Sequence, residues 1–121
     1  MSVIAPGKSN IVVRRGTDYS EEFEIEIDGT LLNLTGAIVT SQIRETANLS
    51  GVLIKDFTVV VSIGAVSGYL STITLSLTDT QTLAIDHPRG FYDVLITDSV
   101  GNDAYYIEGS VEFRNSVTVK V

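Results

Sequence analysis

Apolar and polar residues alternate with a period of two in three separate stretches of this chain. The clearest runs Phe23-Glu24-Ile25-Glu26-Ile27-Asp28. Ile73, Leu75 and Leu77 repeat the rhythm with Thr72, Thr74 and Ser76 between them. Ile107, Val111 and Phe113 do so with Glu108, Ser110 and Glu112 opposite. Neighbouring side chains of a strand point to opposite faces, so each stretch reads as a half-buried strand and not as a helix. Shorter β-like runs fill most of the remainder. Residues 9–15 set Ile11 and Val13 on one face and Val12 on the other. Residues 19–28 form the acidic strand, and residues 37–44 turn Val39 and Ile43 inward. Residues 52–62 are strongly β-branched, with a kink at Lys55-Asp56. Strands at 69–77, 91–97, 104–113 and 116–121 complete the set.

Turn chemistry separates these runs. Arg15-Gly16-Thr17-Asp18 makes one turn and Asp28-Gly29 a tight one. Leu32 and Leu34 lead through Thr35-Gly36, and residues 47–51 form a polar loop. Gly64 and Gly68 bracket another turn, and Asp86-His87-Pro88-Arg89-Gly90 breaks the chain. Thr78 and Gln81 have the spacing of a capping box, which predicts one turn of helix seating Leu83 on the core. About eight strands with one short helical turn predict an all-β, antiparallel, immunoglobulin-like sandwich. A closed barrel is the runner-up.

A chain of 121 residues makes one domain, here a short arm over 1–8 and a body over 9–121. That length buries roughly two-thirds of the unfolded surface, enough for a core without staples. With no cysteine there is no disulfide framework, thiolate metal site or thiol chemistry. The first residues lack the basic start and apolar stretch of a signal peptide. No window approaches the roughly 20 apolar residues of a membrane helix, so no membrane contact is expected. Fifteen acidic against eight basic residues give a net charge of −7. That charge disfavours nucleic acid and weakly favours a basic protein partner.

Chemistry-bearing residues are sparse. His87 is the only histidine, and its neighbours Asp86 and Pro88 do not form an oriented catalytic pair, so it reads as structural or solvent-facing. Glu22, Glu24, Glu26 and Asp28 share the outer face of one strand. That is a solvated face or, alternatively, an electrostatic docking face. Residues 98–103 lack calcium-loop spacing and read as a hairpin loop. No glycine-rich phosphate cradle, metal set or other cofactor signal is present. Tyr92 and Tyr105 are expected to pack inside the sandwich, each phenol reaching a backbone partner. Tyr106 then faces outward as the best exposed aromatic. The apolar Val3 and Ile4 belong to a frayed terminus, a fold-closing strand or an arm that docks on a neighbouring subunit. The expected contact residues are thus Val3, Ile4, Glu22, Glu24, Glu26 and Tyr106.

Several segments, taken in order, resemble a family of small tailed-phage and prophage virion proteins. They are Ile11-Val12-Val13-Arg14-Arg15-Gly16, then Leu34-Thr35-Gly36, then Gln42-Ile43-Arg44. A Thr- and Ser-rich strand and a helical turn follow, then Gly90-Phe91-Tyr92-Asp93 and Glu108-Gly109. The same order is similar to the N-terminal domain of siphophage upper baseplate proteins, which anchors receptor-binding machinery to the tail. The resemblance covers nearly the whole chain through short motifs. In physical terms Gly36 and Gly90 are turn residues, and Gly109 marks a bulge or a close backbone approach. The resemblance implies a non-enzymatic structural protein, made in the host cytoplasm and assembled into the virion beside other virion proteins and further copies of itself. The chain ends at Val121 without a stalk or receptor-binding domain. The expectation is therefore a tail, baseplate or fibre-attachment component, with a capsid decoration protein as the alternative. A carbohydrate-binding module would need an exposed aromatic platform, for which Tyr106 and Tyr69 are the candidates. A hydrolase would need a nucleophile, base or metal set that the sequence does not offer.

Overall fold

The computed structural model describes residues 7–27, 30–31, 34–62 and 72–117, with the backbone alone at 26–27 and 30–31. The elements run β1 (Gly7–Lys8), β2 (Ile11–Arg14), β3 (Tyr19–Phe23), β4 (Glu26–Ile27), β5 (Thr30–Leu31) and β6 (Ile38–Arg44). They continue through β7 (Leu53–Asp56), β8 (Thr58–Ser62), β9 (Thr72–Leu77), helix α1 (Asp79–Ala84), β10 (Arg89–Thr97) and β11 (Asp103–Arg114). One sheet has six strands in the order β1-β11-β10-β6-β7, with β2 also on β11. A second has three, β3-β9-β8, and β4 and β5 pair with each other. The chain is an all-β sandwich. In immunoglobulin lettering β3, β9 and β8 take the B, E and D places, and β11, β10 and β6 take G, F and C.

Alternation builds the core as the sequence predicts. Ile73, Leu75 and Leu77 from one sheet meet Ile43, Val94, Ile96, Ile107 and Val111 from the other. Each such buried side chain contributes about 1.5–3 kcal/mol relative to exposure. Phe57 stacks edge-on against Tyr92, with ring centroids 5.9 Å apart, and Tyr19 packs on its other side at 6.2 Å.

Four sequence expectations change at specific residues. Gly90, expected in a turn, lies inside β10 and pairs with Val111. The acidic run 19–28 is not one strand: the ladder to β9 ends at Phe23↔Ile73, residues 24–25 leave the sheet, and β4 pairs with β5 instead. The Asp28-Gly29 turn between them lies outside the described residues. Residues 52–62 are two strands in different sheets, because the chain changes sheet at the buried Phe57. The expected kink at Lys55-Asp56 is this crossing, one residue later. Helix α1 forms with both halves of its capping box, Gln81 N–H to Thr78 Oγ1 at 3.2 Å and Thr78 N–H to Gln81 Oε1 at 2.8 Å. Leu83 does not seat it, since that side chain is 57% exposed. Thr82 is the fully buried residue, and its hydroxyl donates to Thr17 O at 2.8 Å and accepts from Gly16 N at 3.0 Å. A polar pin and Ile85 hold the helix where a leucine was expected.

The turns at 64–68 and most of the last strand also fall outside the described residues, and 115–117 are not strand. The turn at Gly36 is present, with Ala37 N–H on Leu34 O at 3.0 Å and Gly36 at φ 74°, a conformation that costs any other residue strain.

Candidate functional site

The sequence-derived contact residues do not converge. Val3 and Ile4 lie outside the described residues. Glu22 and Glu24 are exposed, but the strand that was to carry both ends at Phe23, and the side chain of Glu26 is not described. Tyr106 is half-buried and packs on the core, whereas Tyr105 is 41% exposed on the outer face. Both tyrosine assignments are therefore reversed. The cause is a bulge: Val94 pairs with Ile107 and Leu95 with Tyr105, so Tyr106 is the extra residue. One inserted residue reverses the in-out phase beyond it.

Tyr92 is buried as expected, and its phenol reaches a backbone partner, donating to Ser9 O at 2.7 Å. Gly109 stands directly opposite Tyr92 in the ladder. A Cβ built there would overlap the Ser9 carbonyl oxygen. Gly109 thus marks a close backbone approach, one of the two readings its sequence position allowed. Its missing side chain lets the Ser9 carbonyl turn inward to Tyr92. The N-terminal segment is locked on both sides of this point. β1 pairs in parallel with β11 at Ile107 and Glu108, and β2 does so from Val111 to Arg114. Asn10 Oδ1 accepts from Ser110 N at 3.0 Å where the ladder is interrupted.

The outer face of the six-stranded sheet carries a hollow of about 790 Å³. One row of side chains crosses five strands in register: Asp56, Gln42, Asp93, Glu108 and Lys8. Gln42 Nε2 donates to Asp56 Oδ1 at 2.8 Å, and Lys8 pairs with Glu108 at 2.6 Å. Arg44 spends its guanidinium on Gln42 Oε1 at 2.8 Å and Gly51 O at 2.9 Å. Asp93 sits at the centre of the row. Its side chain is exposed, yet partial desolvation by its neighbours raises its carboxyl above the usual range, the Glu108 carboxylate adds to this, and Arg44 offsets it in part. Phe91 flanks the row on one side, and Leu95 and Tyr105 flank it on the other. The loop at 46–49 forms the wall, ending in the exposed Leu49. Chemically, this face offers apolar contact around an under-compensated carboxylate.

The remaining candidates make local contacts. His87 Nε2 meets Glu45 Oε1 at 2.7 Å, a partner distant in sequence, and the His87 carbonyl accepts from Arg15 Nη2 at 2.8 Å. Arg15 Nη1 also donates to Asn115 Oδ1 at 2.6 Å, so this residue ties three segments together. The loop at 98–102 is a hairpin connection whose Asp98 carboxylate accepts from Asn102 N at 2.9 Å and Val100 N at 3.0 Å. Those bonds, the one from Asn102 first, hold the Asp98 carboxyl below its ordinary range. Among the described residues no cluster of three His, Cys, Asp or Glu side chains could hold a metal ion.

The outer-face residues Phe91, Leu95 and Asp93 were not singled out from sequence. A short signal existed: in Gly90-Phe91-Tyr92-Asp93-Val94-Leu95-Ile96 every position is apolar except Asp93, so the solvent side of this strand is itself apolar. Tyr105 could not be placed without the bulge.

No family model matches the chain, and no curated protein matches its sequence. Among solved structures it is similar to a mutant of the SrpA adhesin of Streptococcus sanguinis, at 13% identity and TM-score 0.48, over 88% of this chain and 55% of that one. The chain therefore spans about half the length of that adhesin structure. A structure from a study of cell-adhesive VGSC beta subunits matches at 10% identity and TM-score 0.45, over 96% of this chain and 98% of that one. A family 123 glycoside hydrolase of Clostridium perfringens matches at 12% identity and TM-score 0.41, over 91% of this chain and 23% of that one. These likenesses assign no activity.

Proposed function

We propose that this protein is a non-enzymatic structural subunit of a tailed-phage virion, in the tail, baseplate or fibre-attachment region, acting through contacts with other virion proteins. The reading is supported by the ordered motifs and by what each does physically. Arg15 ties segments together, Leu34-Thr35-Gly36 makes a turn, Gln42-Ile43-Arg44 and Gly90-Phe91-Tyr92-Asp93 run through adjacent strands, and Gly109 admits the Ser9 carbonyl. All of them build a scaffold, and none organises a reacting group.

The observation that carries the subunit-contact reading is the outer face around Asp93. Three flanking apolar side chains and the exposed Asp93 carboxylate, its carboxyl raised by partial desolvation and by neighbouring Glu108, suit a partner that presents a basic side chain against an apolar surround. In the particle that partner is a neighbouring virion protein. The test is incorporation. Asp93→Lys and Leu95→Ser are both outward-facing changes and should leave the isolated domain folded while lowering its occupancy in purified particles at least tenfold. Wild-type occupancy for both variants counts against this face, and absence of the protein from particles counts against the virion reading itself.

One observation favours a second reading, a carbohydrate-binding module: Tyr105 is an exposed aromatic beside Gln42, Asn48 and Asp93 in a concave face. Binding on a glycan array that Tyr105→Ala abolishes supports that reading over subunit contact.

A further inference from the structure

The free edges of the two sheets are not treated alike. Unpaired strand edges recruit other strands, and proteins usually protect them with charges, proline or bulges. Edge strand β3 carries Glu21 and Glu22, and edge strand β7 carries Lys55 and Asp56. On the opposite rim β1 carries Lys8 and β2 carries Arg14. Among the described residues of these two sheets, β8 is the exception. Thr58-Val59-Val60-Val61-Ser62 has no charge, no proline and no register break against β9. Among the described residues it lies at the end of its sheet, and Val60 points outward at 56% exposure. Every second residue of such a strand turns its N–H and C=O away from its one neighbour.

We infer that β8 is a homodimerisation edge, on which the β8 strand of a second copy pairs antiparallel across a two-fold axis through Val60. The strand is self-complementary in that arrangement. Thr58 faces Ser62, Val59 faces Val61, and Val60 faces Val60. The β-branched and hydroxyl pairs are those that stabilise cross-strand contacts, and no like charges meet. Val59 and Val61 already lean on the core, so pairing sets the inward valines of one copy beside those of the other. The outward face continues as well, because β9 presents Thr72, Thr74 and Ser76 there. A closed two-fold contact consumes the edge on both copies at once and does not propagate. An unrelated extended peptide could satisfy the backbone, but the absence of any charge that would select it favours the strand's own copy. The inference stands independently of the virion reading.

The net charge of −7 on each copy opposes association at low ionic strength, so added salt should strengthen this dimer. Sedimentation equilibrium on the wild-type chain should show a monomer–dimer equilibrium at or below about 1 mM. Val60→Lys places two ammonium groups on the axis and should weaken the dimer at least tenfold. Val60→Glu should do the same, and an equimolar mixture of the two variants should restore dimer as a heterodimer. Amide exchange at 58–62 in the wild type, which needs no variant to fold, should slow as concentration rises. A wild-type chain that stays monomeric overturns the inference. So does a dimer that both charged variants leave intact, or exchange at 58–62 that does not respond to concentration.

Discussion

The contact between Ser9, Tyr92 and Gly109 shows how single residues fix the N-terminal segment. The Tyr92 phenol donates to a backbone carbonyl that fits only because residue 109 has no side chain. Gly109→Ala is expected to cost about 1–3 kcal/mol, since the clash is with backbone and not with the end of a flexible side chain. Tyr92→Phe keeps the ring and strands the carbonyl, a loss of about 1 kcal/mol. Urea denaturation of both variants checks the order. Asp93 carries the opposite sign. Its folded-state carboxyl is raised, first by burial, so the folded chain holds that proton more tightly than the unfolded chain does. Its contribution to stability is therefore largest at acid pH and is lost as pH rises from the unfolded value through the raised one. Asp98 is depressed, so its contribution is present above the unfolded value and is lost as pH falls through the folded one. Asp93→Asn should flatten the decline in melting temperature from acid to neutral pH, and Asp98→Asn should flatten the rise.

At the scale of elements, helix α1 separates what the chain reveals locally from what it does not. The Thr78 and Gln81 spacing announces the cap, and the cap is there. Thr78→Ala should cost about 1 kcal/mol. Which residue seats the helix depends on how α1 meets a turn 65 positions away, and no local pattern contains that. Thermal denaturation of Leu83→Ala should give a change within about 0.5 kcal/mol, because that side chain is exposed. Thr82→Val, which removes a hydroxyl serving Gly16 N and Thr17 O, should cost about 1–3 kcal/mol. The strands tell the same story. Ile73, Leu75 and Leu77 were legible because alternation persists wherever one face is buried. Tyr105 and Tyr106 were not, because a bulge adds one residue without changing composition. The change of sheet at Phe57 was invisible for a related reason: residues 52–62 read as one β-like run, and only the pairing partners of β7 and β8 differ.

For the whole molecule, the sandwich places two kinds of surface at different ends of its logic. Its interior is one continuous cluster shared by both sheets, so the fold does not depend on either exposed surface. The outer face around Asp93 is therefore free to carry contact residues, and the raised Asp93 carboxyl marks a charge that its own surroundings disfavour. Such a mismatch is expected of a group whose partner is supplied by another subunit. The central claim is that this face is covered in an assembled particle. A cryo-electron-microscopy map of the intact virion, resolved well enough to trace this chain, tests it most directly. The account expects a neighbouring virion protein seated over Phe91, Asp93, Leu95 and Tyr105, with a basic side chain on Asp93. A chain located in the particle with that face open to solvent would contradict it.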